Sequence, residues 1–134
     1  MITELSPKFD TVMIIDDNTI DSYIISRMII QNNFAKNVLH YTEAEDAMNY
    51  LRDNQEDTSK LPQVIFVDIY MPLMSGFEFM EAYDNLSATL KNHCQTFIIS
   101  STIDDEDIAN SNSDKNVVSF HVKPITKEFL DRII

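Results

Sequence analysis

The chain holds one cysteine and one glycine in 134 residues, and its 10 Lys and Arg face 22 Asp and Glu. The single cysteine, Cys94, excludes an internal disulfide and reads as a small, partly buried apolar residue. Three histidines, His40, His93 and His121, are scattered and show no zinc-type spacing with it. The shortage of basic residues leaves a net charge of −12, which argues against nucleic acid and against anionic membrane surfaces as partners. The opening MITELSPKFD has no apolar signal core, and no apolar run is long enough to span a bilayer. A cytoplasmic location is therefore expected. Repeats, low-complexity tracts and long linkers are absent. The length predicts one domain over residues 10–134 after a polar lead-in over 1–9, with no separate effector domain expected. A hydrophobic content of 44% argues against general disorder, and a chain of this size can bury roughly two-thirds of its unfolded surface.

What the chain does have is a set of short apolar runs that end on polar groups. Val64-Ile65-Phe66-Val67 stops on Asp68, and Met71-Pro72 and Gly76 follow. Such a run, bounded by turn residues, suits a strand buried on both faces. A run at Val12–Ile15 ends on Asp16-Asp17, one at Phe97–Ile99 on Ser100-Ser101, and one at Val117–Val122 on Lys123-Pro124. Strands are expected over 11–16, 36–41, 63–68, 95–100 and 117–122.

Helical spacing fills the gaps. In the lead-in, Ile2, Leu5 and Phe9 are docking candidates. Asn18 caps a helix through Asn33 that carries Ile20, Ile24, Ile25, Met28 and Ile29. Thr42-x-x-Glu45 spells a capping box for a helix to about Asp53, with a polar loop over 54–61 behind it. Ser75-x-x-Glu78 spells a second box, for one helix with a stripe of Phe79, Tyr83, Leu86 and Leu90. Residues 104–112 make the weakest helix, because only Ile108 and Ala109 are apolar; a helix burying so little is easy to shift. Thr126 caps a last helix using Phe129, Leu130, Ile133 and Ile134. Strands alternating with helices, (βα)5, imply an α/β fold with a parallel sheet covered on both faces. Its functional crevice is expected at the carboxyl ends of the strands, where every polar group named above falls.

Three carboxylates from Asp16, Asp17 and Asp68 brought together repel. One like-charged pair 4 Å apart costs about 4 kcal/mol at an effective dielectric near 20. Such a site holds protons or a cation, and hard oxygen donors without His or Cys favour Mg²⁺. With Lys123 and Ser100 alongside, the parts suit phosphoryl transfer: Asp68 attacks, the metal and Lys123 neutralise the oxygens, and Ser100 reads the aspartyl phosphate product.

Asp16-Asp17-Asn18, Asp68-x-x-Met71-Pro72-x-x-x-Gly76, Ser100 and Lys123-Pro124 together resemble the receiver domain of bacterial response regulators over roughly residues 10–134. These proteins are the phosphoacceptor half of two-component signalling. The resemblance implies a flavodoxin-like, doubly wound five-stranded sheet in the order 2-1-3-4-5. It also implies phosphorylation of Asp68 by a sensor histidine kinase or a histidine phosphotransfer protein. By the same resemblance Asp17 binds Mg²⁺ directly, Asp16 acts partly through water, and the Tyr70 backbone carbonyl completes the protein ligands. Lys123 pairs with the phosphoryl group, and the bond to Pro124 is expected to be cis. The family's switch couples Ser100 to an aromatic three residues before the lysine. Here that residue is Phe120, which has no hydroxyl to change partners, where the family often has Tyr. Ser100 and Ser101 stand where many members carry Thr and Ala. Tyr70 is bulky enough to hinder water attack on the phosphoryl group and so to lengthen the signal.

The expected role is a stand-alone signalling module, monomeric or weakly dimeric, whose 104–134 face shifts on phosphorylation and binds a downstream protein. A relay intermediate that passes the phosphoryl group to a histidine phosphotransfer protein fits equally. An aspartate-nucleophile phosphohydrolase is the alternative of another class, but it carries a second Asp where this chain has Tyr70. A flavin carrier on the same fold needs a hydroxyl- and glycine-rich phosphate loop after the first strand, where this chain has Asp16-Asp17-Asn18-Thr19-Ile20-Asp21.

Overall fold

A computed structural model describes residues 6–134. Five parallel strands form one sheet in the order β2-β1-β3-β4-β5. They are β1 (Phe9–Ile15), β2 (Ala35–Tyr41), β3 (Val64–Asp68), β4 (Gln95–Ser100) and β5 (Val117–Val122). The helices are α1 (Thr19–Gln31), α2 (Ala44–Asp53), α3 (Gly76–Asp84), α4 (Ala88–His93), α5 (Asp105–Ser113) and α6 (Lys127–Arg132). This is the flavodoxin-like arrangement. The continuous apolar runs are explained by position: β3 lies mid-sheet with every residue buried, whereas β5 at the edge has none fully buried.

The pleat sends alternate strand residues into two cores. Met13, Ile15, Ile65, Val67 and Ile98 pack with Met48, Leu51, Phe79 and Tyr83 on one face. Val12, Ile14, Phe66, Phe97 and Ile99 pack with Ile25, Ile29, Phe129 and Leu130 on the other. No helix among the described residues is long and apolar enough to cross a membrane.

Several local expectations are corrected. β1 begins at Phe9, two residues early, because Phe9 is buried against Phe34 with ring centroids 5.1 Å apart. Ile2 and Leu5 lie outside the described residues. α1 ends at Gln31, short of Asn33, and turns its buried side on Ser22, Ile25 and Ile29; Ile20 and Ile24 point to solvent. The box at Thr42 does not form. The chain stays extended through Glu43, whose side chain makes no cap bond, and the helix opens at Ala44 so that Ala44, Ala47, Met48 and Leu51 are buried. The loop after α2 contains a 3-10 turn at Thr58–Lys60.

The single helix expected after Ser75 is two. Its capping box is present, but the helix stops at Asp84, and Ser87 starts α4 by accepting from the Leu90 N–H at 3.2 Å. The break is fixed from outside. Gln55 accepts from the Ser87 N–H at 2.7 Å through its side chain and from the Ser87 hydroxyl at 3.1 Å through its backbone. At the carboxyl end α6 stops at Arg132; Ile133 is buried, but Ile134 is exposed rather than part of an apolar stripe.

Candidate functional site

The parallel register brings the carboxyl ends of β1, β3, β4 and β5 to one edge of the sheet. Asp16 directly follows β1, Asp68 ends β3, Ser100 ends β4, and Lys123 directly follows β5. Backbone bonds carry the order past the strands: the Asp16 N–H donates to the Tyr41 carbonyl at 3.0 Å, and the Lys123 N–H to the Ser100 carbonyl at 2.8 Å. The Lys123–Pro124 peptide is cis.

Asp16 is fully buried, Asp68 nearly so, and Asp17 is exposed. One carboxylate oxygen from each of the three lies within 4.8 Å of the others. Lys123 is the cation that makes this tolerable. Its Nζ lies 2.6 Å from Asp16, 3.1 Å from Asp21 and 3.7 Å from Asp68. Asp16 also accepts from the Asn18 N–H at 2.9 Å through its other oxygen. Burial works against the Lys123 charge, but the bond to Asp16 and the charges of Asp68 and Asp16 outweigh it, so its pKa is raised. Asp68 fares worse. Burial pushes its carboxyl up to about 6; Lys123 pulls it back down, and Asp16 adds a push upward. Four carboxylates round one ammonium leave an excess of negative charge made of hard oxygen donors. That is the donor set a small divalent cation requires.

The loop from Asp68 to Gly76 is held hard against the sheet. The Gly76 N–H donates to the Ile69 carbonyl at 2.8 Å. A Cβ at Gly76 would sit 2.9 Å from the Ile69 Cα and up against the Asp68 carbonyl oxygen, so only glycine fits. Within the loop the Met74 N–H donates to the Pro72 carbonyl at 2.8 Å, and Leu73 between them takes φ 69°. Ile69 is buried, but Tyr70 and Leu73 project outward. The Tyr70 hydroxyl donates to the Asp107 carboxylate of α5. That bond, followed by burial and nearby acids, pushes the phenol up to about 12.

The site residues expected from the sequence thus fall at one edge, with some differences in engagement. Ser100 is buried; its hydroxyl lies 3.3 Å from the Thr102 hydroxyl and accepts from the Thr102 N–H at 3.2 Å. Phe120 is partly buried against the core that contains Phe79 and Met80. Asp21 was not expected in the site, yet it contacts Lys123. Its place on the first turn behind the acid pair was the signal. The pairing of Tyr70 with Asp107 spans 37 positions and has no local signature.

Comparison with known proteins agrees with this geometry. The sequence profile of the response regulator receiver domain matches residues 12–134. The chain is 24% identical over 123 residues to a probable methanogenesis regulatory protein of Methanothrix harundinacea, covering 92% of this chain and 77% of that one. A two-component response regulator from Cytophaga hutchinsonii superposes with a TM-score of 0.84 at 25% identity, covering 92% of each chain. A response regulator receiver protein from Dyadobacter fermentans gives 0.80 at 26% identity over 90% of this chain and 91% of that one. The Mn²⁺-bound response regulator Rcp1 shares the fold, with a TM-score of 0.71 at 16% identity over 91% of this chain and 87% of that one. The carboxylate edge, the strand order and the matched profile agree, and the chain belongs to the response regulator receiver domain family.

Proposed function

We propose that residues 10–134 form a phosphoacceptor unit whose Asp68 takes a phosphoryl group from a phosphohistidine. The donor is a sensor histidine kinase or a histidine phosphotransfer protein in the cytoplasm, and the reaction depends on Mg²⁺. The observation that carries this reading is the buried Asp68 carboxylate set 3.7 Å from Lys123 and within 4.8 Å of the Asp16 and Asp17 carboxylates. An Asp68 oxygen attacks phosphorus, and the P–N bond to the donor imidazole breaks. The bonding pair stays on the imidazole nitrogen. Lys123, freed in part from Asp68, donates to a phosphoryl oxygen, and Asp16 keeps the ammonium in place. Asp16, Asp17, Asp68 and the Tyr70 carbonyl are the groups that would hold Mg²⁺. When bound, it supplies positive charge for the phosphoryl oxygens. An Rcp1 structure that holds Mn²⁺ on the same fold supports a divalent ion here.

The product is read by Ser100 and Phe120. The Ser100 hydroxyl turns from Thr102 toward a phosphoryl oxygen, and the Phe120 ring follows without a hydrogen bond of its own. The 104–134 face changes shape and presents itself to a downstream protein. α5 supports this assignment, since it buries no apolar side chain fully. The phosphohydrolase alternative is weaker. Its second acid would stand at Tyr70, which offers a phenol already engaged by Asp107.

Intact mass after incubation with acetyl phosphate and Mg²⁺ tests the proposal. The wild type should gain one phosphoryl group, and both the Asp68→Asn variant and the wild type with EDTA should gain none. Beryllofluoride, a stable mimic, covers a product too short-lived to weigh. Failure of both reagents in the presence of Mg²⁺ would end the acceptor reading.

A further inference from the structure

The acceptor loop and α5 are far apart in sequence, and among the described residues they share one side-chain hydrogen bond, from the Tyr70 hydroxyl to the Asp107 carboxylate 37 positions on. Tyr70 lies two positions after Asp68, in a loop pinned by Gly76 and carrying Leu73 at φ 69°. Its ring leaves the loop toward solvent and is 56% exposed, so packing does not dictate where it points. The bond to Asp107 does.

At the other end, little else holds α5. Its one buried side chain is Ser111, whose hydroxyl has no partner among the described residues. Ile108 is only partly buried, and Ala109 is exposed. Asp104 caps the first turn by accepting from the Glu106 and Asp107 N–H groups, but that bond lies within the helix and fixes no position relative to the sheet. In a helix with so few fixings, a hydrogen bond to a charged acceptor carries weight, because such bonds are about twice as strong as neutral ones. Phe120 on the neighbouring strand offers no competing hydroxyl.

We propose that the Tyr70–Asp107 hydrogen bond is a latch of the unloaded state, and that Asp107 is a positioning residue which holds α5 and the acceptor loop in their resting arrangement. The latch rests on the reading of Asp68 as the acceptor. Loading Asp68 changes the charge beside the pinned loop, α5 moves off Tyr70, and the bond is given up. A contact made in one state alone opposes the other state by its own free energy, and the coupling is reciprocal. The latch therefore lowers affinity for a phosphoryl mimic at Asp68 while it quiets α5.

The test uses the full chain and two readouts, beryllofluoride affinity with Mg²⁺ and hydrogen exchange of the 105–113 amides in the unloaded protein. Tyr70→Phe removes one hydroxyl from an exposed position. It should tighten beryllofluoride about fivefold, the factor that one net hydrogen bond represents. It should also speed exchange in α5 without lowering the melting temperature of the domain. Asp107→Asn should act in the same direction, and the double variant should fall short of the sum of the two. Glu106→Gln removes the same charge from the same turn without touching Tyr70, and it should change affinity less than Asp107→Asn does. Equal affinity and equal α5 exchange in wild type and Tyr70→Phe would sink the latch alone, as would weaker binding by the variant. Equal effects of Glu106→Gln and Asp107→Asn would reduce it to charge and sink it too. A wild type that takes no beryllofluoride would bring down the acceptor reading and the latch with it.

Discussion

Helices α2 and α5 start from similar material. The first carries Glu45 and Asp46 in its opening turn, the second Asp105, Glu106 and Asp107, and they run to 10 and 9 residues. They are held in opposite ways. α2 has no side-chain cap, yet it buries Ala44, Ala47, Met48 and Leu51 against the sheet. α5 has a full Asp104 cap and a phenol tie from Tyr70, yet it buries only Ser111. Packing fixes one helix in place. Polar bonds fix the other, and polar bonds can exchange partners when the charge beside them changes. The same contrast divides the strand ends: Asp68 comes from β3, buried throughout, and Lys123 follows the half-exposed β5. The proposed acceptor sits on the rigid side and the proposed readout on the loose side.

The sharpest way to break this comparison is to truncate one apolar side chain in each helix. Leu51→Ala empties a fully buried site and should cost about 3 kcal/mol of unfolding free energy. Ile108→Ala removes a partly buried side chain and should cost under about 1 kcal/mol. Urea unfolding of both variants reads the difference. Similar losses would mean that α5 is packed as firmly as α2.

The rigid side also bears a strain that Asp68 imposes. Burial, the main cause, pushes the Asp68 carboxyl up to about 6 in the fold, against 3.8 for the free side chain. A folded pKa raised above the unfolded one contributes stability that is complete below pH 3.8 and lost as pH rises through 6. At neutral pH, without metal, the ionised Asp68 therefore weakens the fold by on the order of 2 kcal/mol. Asp68→Asn should raise the melting temperature of the metal-free protein at pH 7.5 and make little difference at pH 4. A gain that persisted in acid would place its origin in packing rather than in charge.

How much of this could be read from the sequence depends on whether the cause was local. The strand ends were legible because apolar runs stopping on Asp16, Asp68, Ser100 and Lys123 carry their own signal. The weakness of α5 was legible for the same reason. The division between α3 and α4 was not: Phe79, Tyr83, Leu86 and Leu90 keep helical spacing straight through the break, and the residue that fixes it, Gln55, lies in another connection. Thr42 misled because a capping box specifies a start only if the turn it opens also buries the right face. Here that face begins with Ala44. Asp107 was invisible as a partner of Tyr70, since nothing within either segment requires the other.

The smallest predicted effect separates the two helices by their caps. Asp104 accepts from the Glu106 N–H at 2.9 Å and from the Asp107 N–H at 3.2 Å, so Asp104→Ala leaves two donors of the first turn of α5 without that partner. Loss of such a cap typically costs about 1 kcal/mol. Glu43→Ala, at the matching place in α2, removes a side chain that caps nothing, and it should leave stability unchanged. The two losses should also appear in different observables. α5 opens without disturbing either core, so the Asp104 variant should show faster exchange at 105–113 well before any change in the global unfolding midpoint. α2 unfolds only with the core that Leu51 and Met48 share with β3, and its amides should keep their protection in the Glu43 variant. A global midpoint lowered by Asp104→Ala with no local change at α5 would show that the helix unfolds with the whole domain. It could not then serve as the element that moves when Asp68 is loaded.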